Sequence, residues 1–296
     1  MENHQIKILL VGVILLLSSC VKDELHRTAH PAQGAVQVTT DWTGHSAEAT
    51  LPAHYTLRIG TTEKEVSGTV NCWDDLLQPD SYNLLAYNTP AGITVSGNTA
   101  TVSSLPDGTL EPLPDYLFSA VKQLAVIADD RLEVTLPMKQ RIRRLTLILK
   151  LNAGDEARIA RTTATLTGIA PSIDLATEAV TATEGKTVIP LFTLTAAPAA
   201  KRSGTRAATD AARLETTVRL LNVMATEQQL LTLFVTLNDG SVHPITTNLT
   251  ALLKNYTDGS KEPLALDAYL VLPVAAGISA DITDWTVVEN GDIDIH

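Results

Sequence analysis

Residues 145–151 read Leu-Thr-Leu-Ile-Leu-Lys-Leu, and their alternation decides the fold. Leucine occupies every second position, while Thr146, Ile148 and Lys150 occupy the positions between. Because successive side chains of a β-strand point to opposite faces, this pattern predicts a strand with one face in the core. The same alternation, with the Thr, Val and Ile enrichment typical of strands, recurs in five other segments, namely 36–39, 55–59, 132–136, 231–237 and 266–272.

Turn-forming residues separate these strands. They stand at 105–108, 152–155 and 238–241, each segment with a Gly beside an Asp, and they favour chain reversals. Many short strands joined by turns are typical of β-sandwiches. Helix signals are few, since Thr247 or Asn248 could cap a short helix over 249–256 and residues 155–161 could form one or two turns. The chain is therefore predicted to be all-β with few short helices.

The N-terminus has the layout of a secretory signal. Lys7 precedes an apolar run from Ile8 to Leu17, and small residues then lead to Cys20. This run is too short for a spanning helix. Leu17-Ser18-Ser19-Cys20 resembles the bacterial lipobox, which implies removal of residues 1–19 and diacylation of the Cys20 thiol. The alternative is an ordinary signal peptide with a chance cysteine at its end.

A second signal follows the cysteine. Lys22, Asp23 and Glu24 resemble the short Lys-plus-acidic signal that sends Bacteroidota lipoproteins to the outer face of the outer membrane. The alternative is a charged, solvated linker. Residues 20–33 are interpreted as a flexible tether between the lipid and the folded part of the chain.

The composition restricts the partners and the class of protein. A net charge of −11 repels phosphate backbones, so no nucleic-acid partner is predicted. A hydrophobic content of 45% fits a globular chain long enough for two domains. The basic segment 137–144 could join these domains, and residues 196–213 are predicted to form a long exposed loop.

The residues offer no persuasive site for chemistry. HExxH, G-x-S-x-G and a phosphate-binding glycine loop are missing from the sequence, so no catalytic residue and no cofactor are predicted. Glu289, Asp292 and Asp294 could hold calcium, but they lack a full oxygen-ligand set, and no metal is predicted. If Cys20 carries lipid, Cys72 has no disulfide partner, and it is predicted to be a small buried apolar residue.

The three tryptophans, Trp42, Trp73 and Trp285, allow two interpretations. Exposed aromatic side chains commonly form the platform of a glycan site, whereas buried ones fill a core. Core packing is the favoured interpretation, and a glycan site stays open as the alternative.

Several motifs together resemble one known family. They are Arg144-Leu145-Thr146-Leu147, Ala164-Thr165-Leu166-Thr167-Gly168-Ile169-Ala170 and Ile173-Asp174-Leu175, with support from Ser81 through Asn88 and from Asp284-Trp285 through Ile293. This pattern is similar to the core of the fimbrial anchor and minor-subunit lipoproteins of Bacteroidota, the fimbrillin-like proteins of type V pili. The resemblance spans most of residues 35–296.

The resemblance implies both a fold and a role. It implies two tandem transthyretin-like antiparallel β-sandwiches, at 34–140 and 141–296. It also implies a surface-exposed lipoprotein of the cell outer membrane that serves a fimbrium as anchor or minor subunit, partnered by other fimbrial subunits through β-strand addition. For an anchor, the N-terminal strand is expected to stay uncut. The alternative is a surface adhesin outside any fimbrium that recognises a glycan or a host protein.

Overall fold

The computed structural model describes residues 32–196, 211–256, 262–273 and 279–288. The regular elements among these residues are strands, apart from one four-residue α-helix and one 3₁₀ helix. Within these ranges, no helix has the length and apolar character needed to cross a membrane. The predicted loop 196–213 falls largely on residues 197–210, which lie outside the described ranges.

The first ten strands build the N-terminal sandwich and contribute two strands, β6 and β7, to a third sheet. They are β1 (Ala35–Asp41), β2 (His54–Ile59), β3 (Thr62–Ser67), β4 (Val70–Cys72), β5 (Ser81–Tyr87), β6 (Ile93–Ser96), β7 (Thr99–Val102), β8 (Phe118–Ala125), β9 (Arg131–Pro137) and β10 (Lys139–Gln140). The N-terminal sandwich consists of the sheets β4-β1-β9 and β10-β8-β5-β2-β3. Alternate residues of β1 and β2 are buried, which puts their apolar side chains between the sheets.

The remaining strands build the C-terminal sandwich, except for β13, which belongs to a third sheet. They are β11 (Arg143–Leu151), β12 (Ile159–Ala170), β13 (Ser172–Asp174), β14 (Lys186–Val188), β15 (Thr193–Thr195), β16 (Arg213–Leu220), β17 (Asn222–Val223), β18 (Leu230–Leu237), β19 (Val242–Asn248), β20 (Leu264–Val271) and β21 (Asp281–Val287). The sheets are β15-β16-β11-β20-β21 and β14-β12-β18-β19, with β17 paired to β12. Leu145, Leu147 and Leu149 of β11 are fully buried, as their alternation predicts.

The all-β fold of packed, mostly antiparallel sheets is confirmed, with one addition. Each sandwich contains a parallel pair that joins its first strand to a late one, β1 to β9 and β11 to β20. Each of these first strands also has an antiparallel neighbour on its other side, β4 or β16. Alternation along one strand carries no information about its neighbours, so the sequence does not reveal this arrangement.

A third sheet joins the two sandwiches. Its order is β13-β7-β6, so a strand from the second half of the chain pairs with two strands from the first half. A parallel bridge between Leu110 and Val188 adds a second link. Sheet membership also changes between β10 and β11, while the domain limits 34–140 and 141–296 themselves stay a prediction.

The predicted turns and short helices have direct counterparts. Gly108, Gly154 and Gly240 all have positive φ angles, between 83° and 91°, which glycine adopts without steric cost. The helix α1 spans Thr250–Leu253, and the Asn248 side-chain oxygen accepts a hydrogen bond from the Thr250 amide at 2.9 Å. The turn predicted over 155–161 is a 3₁₀ helix at Asp155–Arg158.

The prediction for Cys72 is wrong, because its side chain is exposed. In β4 the inward position belongs to Asn71, whose amide donates to the Tyr55 hydroxyl at 2.9 Å. This contact fixes which face of the short strand turns inward, so Cys72 points outward, close to Gln37 and Arg131. The next residue, Trp73, is the buried one.

Candidate functional site at strand β1 and the sandwich junction

The residues predicted from the lipoprotein signals lie before the described part of the chain. Cys20, Lys22, Asp23 and Glu24 therefore have no structural description, and their roles stay predictions. The acidic residues Glu289, Asp292 and Asp294 also lie outside the described ranges. Within those ranges, no group of three or more His, Cys, Asp or Glu side chains is placed to hold a metal ion.

Strand β1 is the first element after the predicted tether, and it is a central strand. It pairs with β9 in parallel over seven residues and with β4 in antiparallel fashion over three. Val36 and Val38 are 1% and 0% exposed, and the buried Thr40 hydroxyl lies 3.1 Å from the Tyr55 hydroxyl. Removal of this strand would open the N-terminal core along its length.

The chain enters β1 through a tight contact at Gly34. The Gly34 amide and carbonyl each pair with Leu77 at 2.8 Å, and the Ala35 amide donates to the Asp130 carbonyl at 2.8 Å. A Cβ at position 34 would lie 2.3 Å from the Ile127 carbonyl oxygen and 2.7 Å from Val126 Cγ1. Only glycine allows this approach. The role of Gly34 is not visible in the sequence, because a single glycine beside a predicted tether carries no distinguishing signal.

The other end of β1 reaches the junction between the sandwiches. The Met138 amide donates to the Asp41 carbonyl at 2.8 Å. Asp41 also borders a cleft of about 620 Å³ whose walls include Leu221 and Tyr256 of the C-terminal half. Strand β1 therefore begins at the end of the N-terminal sandwich that lies away from the junction, the outer pole, and ends at the junction.

Ion pairs hold the basic connection at this cleft. Glu178 accepts hydrogen bonds from Arg141 at 2.9 Å and from Lys139 at 2.8 Å. The hydrogen bond from Arg141, followed by that from Lys139, lowers the pKa of Glu178 to about 2 despite partial burial.

Arg143 of the same basic segment is held by backbone carbonyls. It donates to the carbonyls of Tyr256 at 2.6 Å and Glu262 at 2.5 Å, and burial lowers the pKa of its guanidinium.

A second cluster crosses the junction on its other side. Arg144 contacts Glu48 at 2.7 Å, and the Tyr116 hydroxyl donates to the same carboxylate at 2.6 Å. The Arg219 guanidinium lies 4.6 Å from the centroid of the Tyr116 ring and pairs with Asp115 at 3.4 Å. Burial, followed by the bond to Glu48, raises the pKa of Tyr116 to about 12.

This cluster was missed from sequence, although part of its signal is visible there. Arg144 and Arg219 stand directly opposite each other in the register of β11 and β16, where like charges repel. Carboxylates and an aromatic ring from the N-terminal sandwich compensate them. Arg144 belongs to the basic run that suggested a connection, but nothing in the sequence reveals its partners at positions 48 and 116.

The core-packing interpretation of the tryptophans is confirmed. Trp73 is buried, and Trp42 and Trp285 are partly buried against the core. Trp42 meets the rings of Tyr55 and Phe118 edge-on at 5.4 and 5.5 Å. The Trp285 indole donates to the Thr247 hydroxyl at 3.0 Å, which connects β21 with β19.

Comparison with known proteins points to one family. The model for fimbrillin-A associated anchor proteins Mfa1 and Mfa2 matches residues 53–291. No curated protein sequence matches the chain.

Solved structures share the fold at low sequence identity. The fimbrial anchor protein Mfa2 from Porphyromonas gingivalis has a TM-score of 0.59 at 10% identity, with 86% of this chain and 97% of that one covered. A candidate adhesin from Bacteroides ovatus has a TM-score of 0.60 at 10% identity, covering 88% and 96%. Another from Bacteroides thetaiotaomicron has 0.58 at 15% identity, covering 88% and 98%.

Proposed function

The chain belongs to the family of fimbrillin-A associated anchor proteins, and we propose that it holds a fimbrium on the outer membrane through lipid attached to Cys20. Proteins of this family are fimbrial anchors, and membership of the family implies that this chain is associated with a fimbrium at the cell surface. The lipid, the outer membrane and the mode of assembly are the proposed parts. Diacyl chains suit this task, because each buried methylene contributes roughly 0.8 kcal/mol to membrane binding.

The observation that carries the proposal is the position of β1. The tether from the predicted lipid site leads directly into a strand that has neighbours on both sides and buried side chains at Val36 and Val38. A tether that continues into the core gives the membrane a firm hold on the folded protein. A chain that keeps this strand also has no groove at the position of β1, which suits a subunit at the base of a polymer.

We further propose that the next fimbrial subunit joins by β-strand addition at another sheet edge. Edge strands differ in their suitability for this. Strand β3 carries Glu63, Lys64 and Glu65, and such charges discourage pairing. Strand β15, with the sequence Thr-Leu-Thr, is uncharged, and all three of its residues are exposed. Among the described edges, β15 is therefore a better candidate acceptor than β3.

The lipid hypothesis is tested by replacing each cysteine in turn and fractionating the cells. Cys20→Ala is expected to move the protein from the membrane fraction into the soluble fraction or the medium. Cys72→Ala is the matched control, since Cys72 is an exposed thiol at an edge strand, and it should leave the protein in the membrane. Retention of the Cys20→Ala protein in the membrane fraction would refute the lipid attachment.

An adhesin outside any fimbrium is the second candidate, because two of the structural neighbours are described as candidate adhesins. Tyr269 is 50% exposed on β20 and has the Lys150 amine 5.6 Å from its ring centroid, so it offers an aromatic contact. A glycan array with the wild-type protein and Tyr269→Ala separates the two roles. Robust hits that the variant loses would favour the adhesin, and a blank array together with loose fimbriae in a deletion strain would favour the anchor.

A further inference from the structure

Strands β1 and β9 run parallel, with their N-terminal ends side by side. Their register extends from Ala35 opposite Arg131 to Asp41 opposite Pro137. The tether joins β1 at its N-terminal end, whereas the chain leaves β9 at its C-terminal end and continues through β10 into β11 of the C-terminal sandwich. Tension between the tether and the C-terminal sandwich therefore pulls these two strands in opposite directions along their axes.

The ends of β1 lie at opposite ends of the N-terminal sandwich. At the outer pole, its first residue, Ala35, donates to Asp130, next to the pairing of Gly34 with Leu77. At the other end, Asp41 contacts Met138 and borders the junction cleft. A pull from the membrane side is thus directed along the strand rather than across it. The ion pair between Arg144 and Glu48 and the shared β13-β7-β6 sheet connect the sandwiches at the junction.

Direction matters because it decides how many hydrogen bonds carry the force at once. A pull across a strand at one end breaks its bonds one after another, whereas a pull along the strand loads the whole ladder together. Sliding of β1 along its neighbouring strands also requires a high force. A slip by one residue would turn Val36 and Val38 to the opposite face, so a new register needs a two-residue step of roughly 6–7 Å.

We propose that β1 is a mechanical clamp that resists tension between the membrane and a fimbrium. Its hydrogen bonds to β4 and β9 are loaded in shear, all at once, when the strand is pulled along its axis. This inference rests on the proposed function for the direction of the force. The parallel pair of β11 and β20, which also extends over seven residues, repeats the arrangement in the C-terminal sandwich.

Single-molecule force spectroscopy on the mature chain tests the clamp. A chain that begins at Val21 and carries Cys72→Ser is held at its N-terminus and at a thiol introduced by Ala153→Cys. Ala153 is exposed in the turn that follows β11. The force then passes along β11 itself, so the N-terminal sandwich and the junction bear the tension while the C-terminal sheets do not.

A second attachment changes the direction of the pull on β1 and takes the junction out of the loaded path. Ile127→Cys places the thiol at a 61% exposed side chain beside the start of β1, so the same strand is peeled from its end. The clamp predicts a rupture force at least about two-fold higher along the strand than across it, since several bonds of comparable strength load together. Equal forces in the two directions would overturn the proposal.

Two matched substitutions separate the clamp from general stability. Val38 in β1 and Val235 in β18 are both fully buried, and Val→Ala removes the same atoms from each. Val38→Ala is expected to raise the rupture rate at a fixed force along the strand about ten-fold, whereas Val235→Ala should change it less than about two-fold. Equal effects would overturn the clamp. The force measurement needs no fimbrium. A finding in cells that the protein does not anchor fimbriae would therefore leave the force result unchanged and would count against the proposed function alone.

Discussion

The replacement Gly34→Ala adds one methyl group at the point where the predicted tether enters the fold. The new Cβ would lie 2.3 Å from the Ile127 carbonyl oxygen and 2.7 Å from Val126 Cγ1. Ordinary contacts of this kind are about 1 Å longer, so the start of β1 has to move away. Overpacking of this kind costs about 1–3 kcal/mol, and each hydrogen bond lost between Gly34 and Leu77 adds about 1 kcal/mol.

We therefore expect Gly34→Ala to lower the free energy of unfolding by about 2–3 kcal/mol, measured by chemical denaturation. Hydrogen exchange should accelerate at the Ala35 and Leu77 amides, which donate at this site. Gly44→Ala is the matched control near the other end of β1, because its Cβ would meet only the Met138 carbonyl oxygen, at 3.4 Å. That change should alter stability by less than about 1 kcal/mol. Equal stability of the two variants would refute the role given to Gly34.

Three further predictions concern the junction and the exposed thiol. Glu48→Gln should lower the free energy of unfolding by about 1–2 kcal/mol, because it weakens contacts with Arg144 and Tyr116; a double-mutant cycle with Arg144→Met that shows no coupling would contradict this. Because the pKa of Glu178 is lowered in the folded state to about 2 from a usual 4.5, its ion pairs stabilise fully above about pH 5 and this stabilisation is lost as the pH falls toward 2. Glu178→Gln should thus flatten the loss of stability over this acid range, and unchanged pH dependence would count against the ion pairs. Cys72, which is exposed, should react with a maleimide in the folded protein, and labelling that requires denaturant would show that the thiol is buried after all.

The sequence predicts the strands well because their physical signal is local. Burial on one face imposes a period of two, which is visible in residues 145–151 and is matched by the burial of Leu145, Leu147 and Leu149. Turn positions such as Gly154 and Gly240 are local as well, since a positive φ favours glycine wherever it occurs. These features need no knowledge of the partner strands.

Other features depend on residues far apart in the chain and escape such reasoning. The face on which Cys72 lies is fixed by a hydrogen bond between Asn71 and Tyr55. Strand β4 has only three residues, which are too few for the alternation to show which side chains point inward. The parallel pairing of β1 with β9 joins positions almost a hundred residues apart. Glu48 meets Arg144 in the same way. The sequence therefore indicates the candidate site mainly near its N-terminal end, where short motifs predict lipid attachment.

The amount of fimbrial material shed into the medium tests most directly whether this protein anchors fimbriae through lipid. Cells that carry Cys20→Ala, Cys72→Ala or the wild-type chain can be compared by electron microscopy of the surface and by quantifying fimbriae in the supernatant. Lipid anchoring through Cys20 predicts abundant free fimbriae with Cys20→Ala alone, and firmly attached fimbriae with the other two chains. Fimbriae that stay attached at wild-type levels with Cys20→Ala would contradict it.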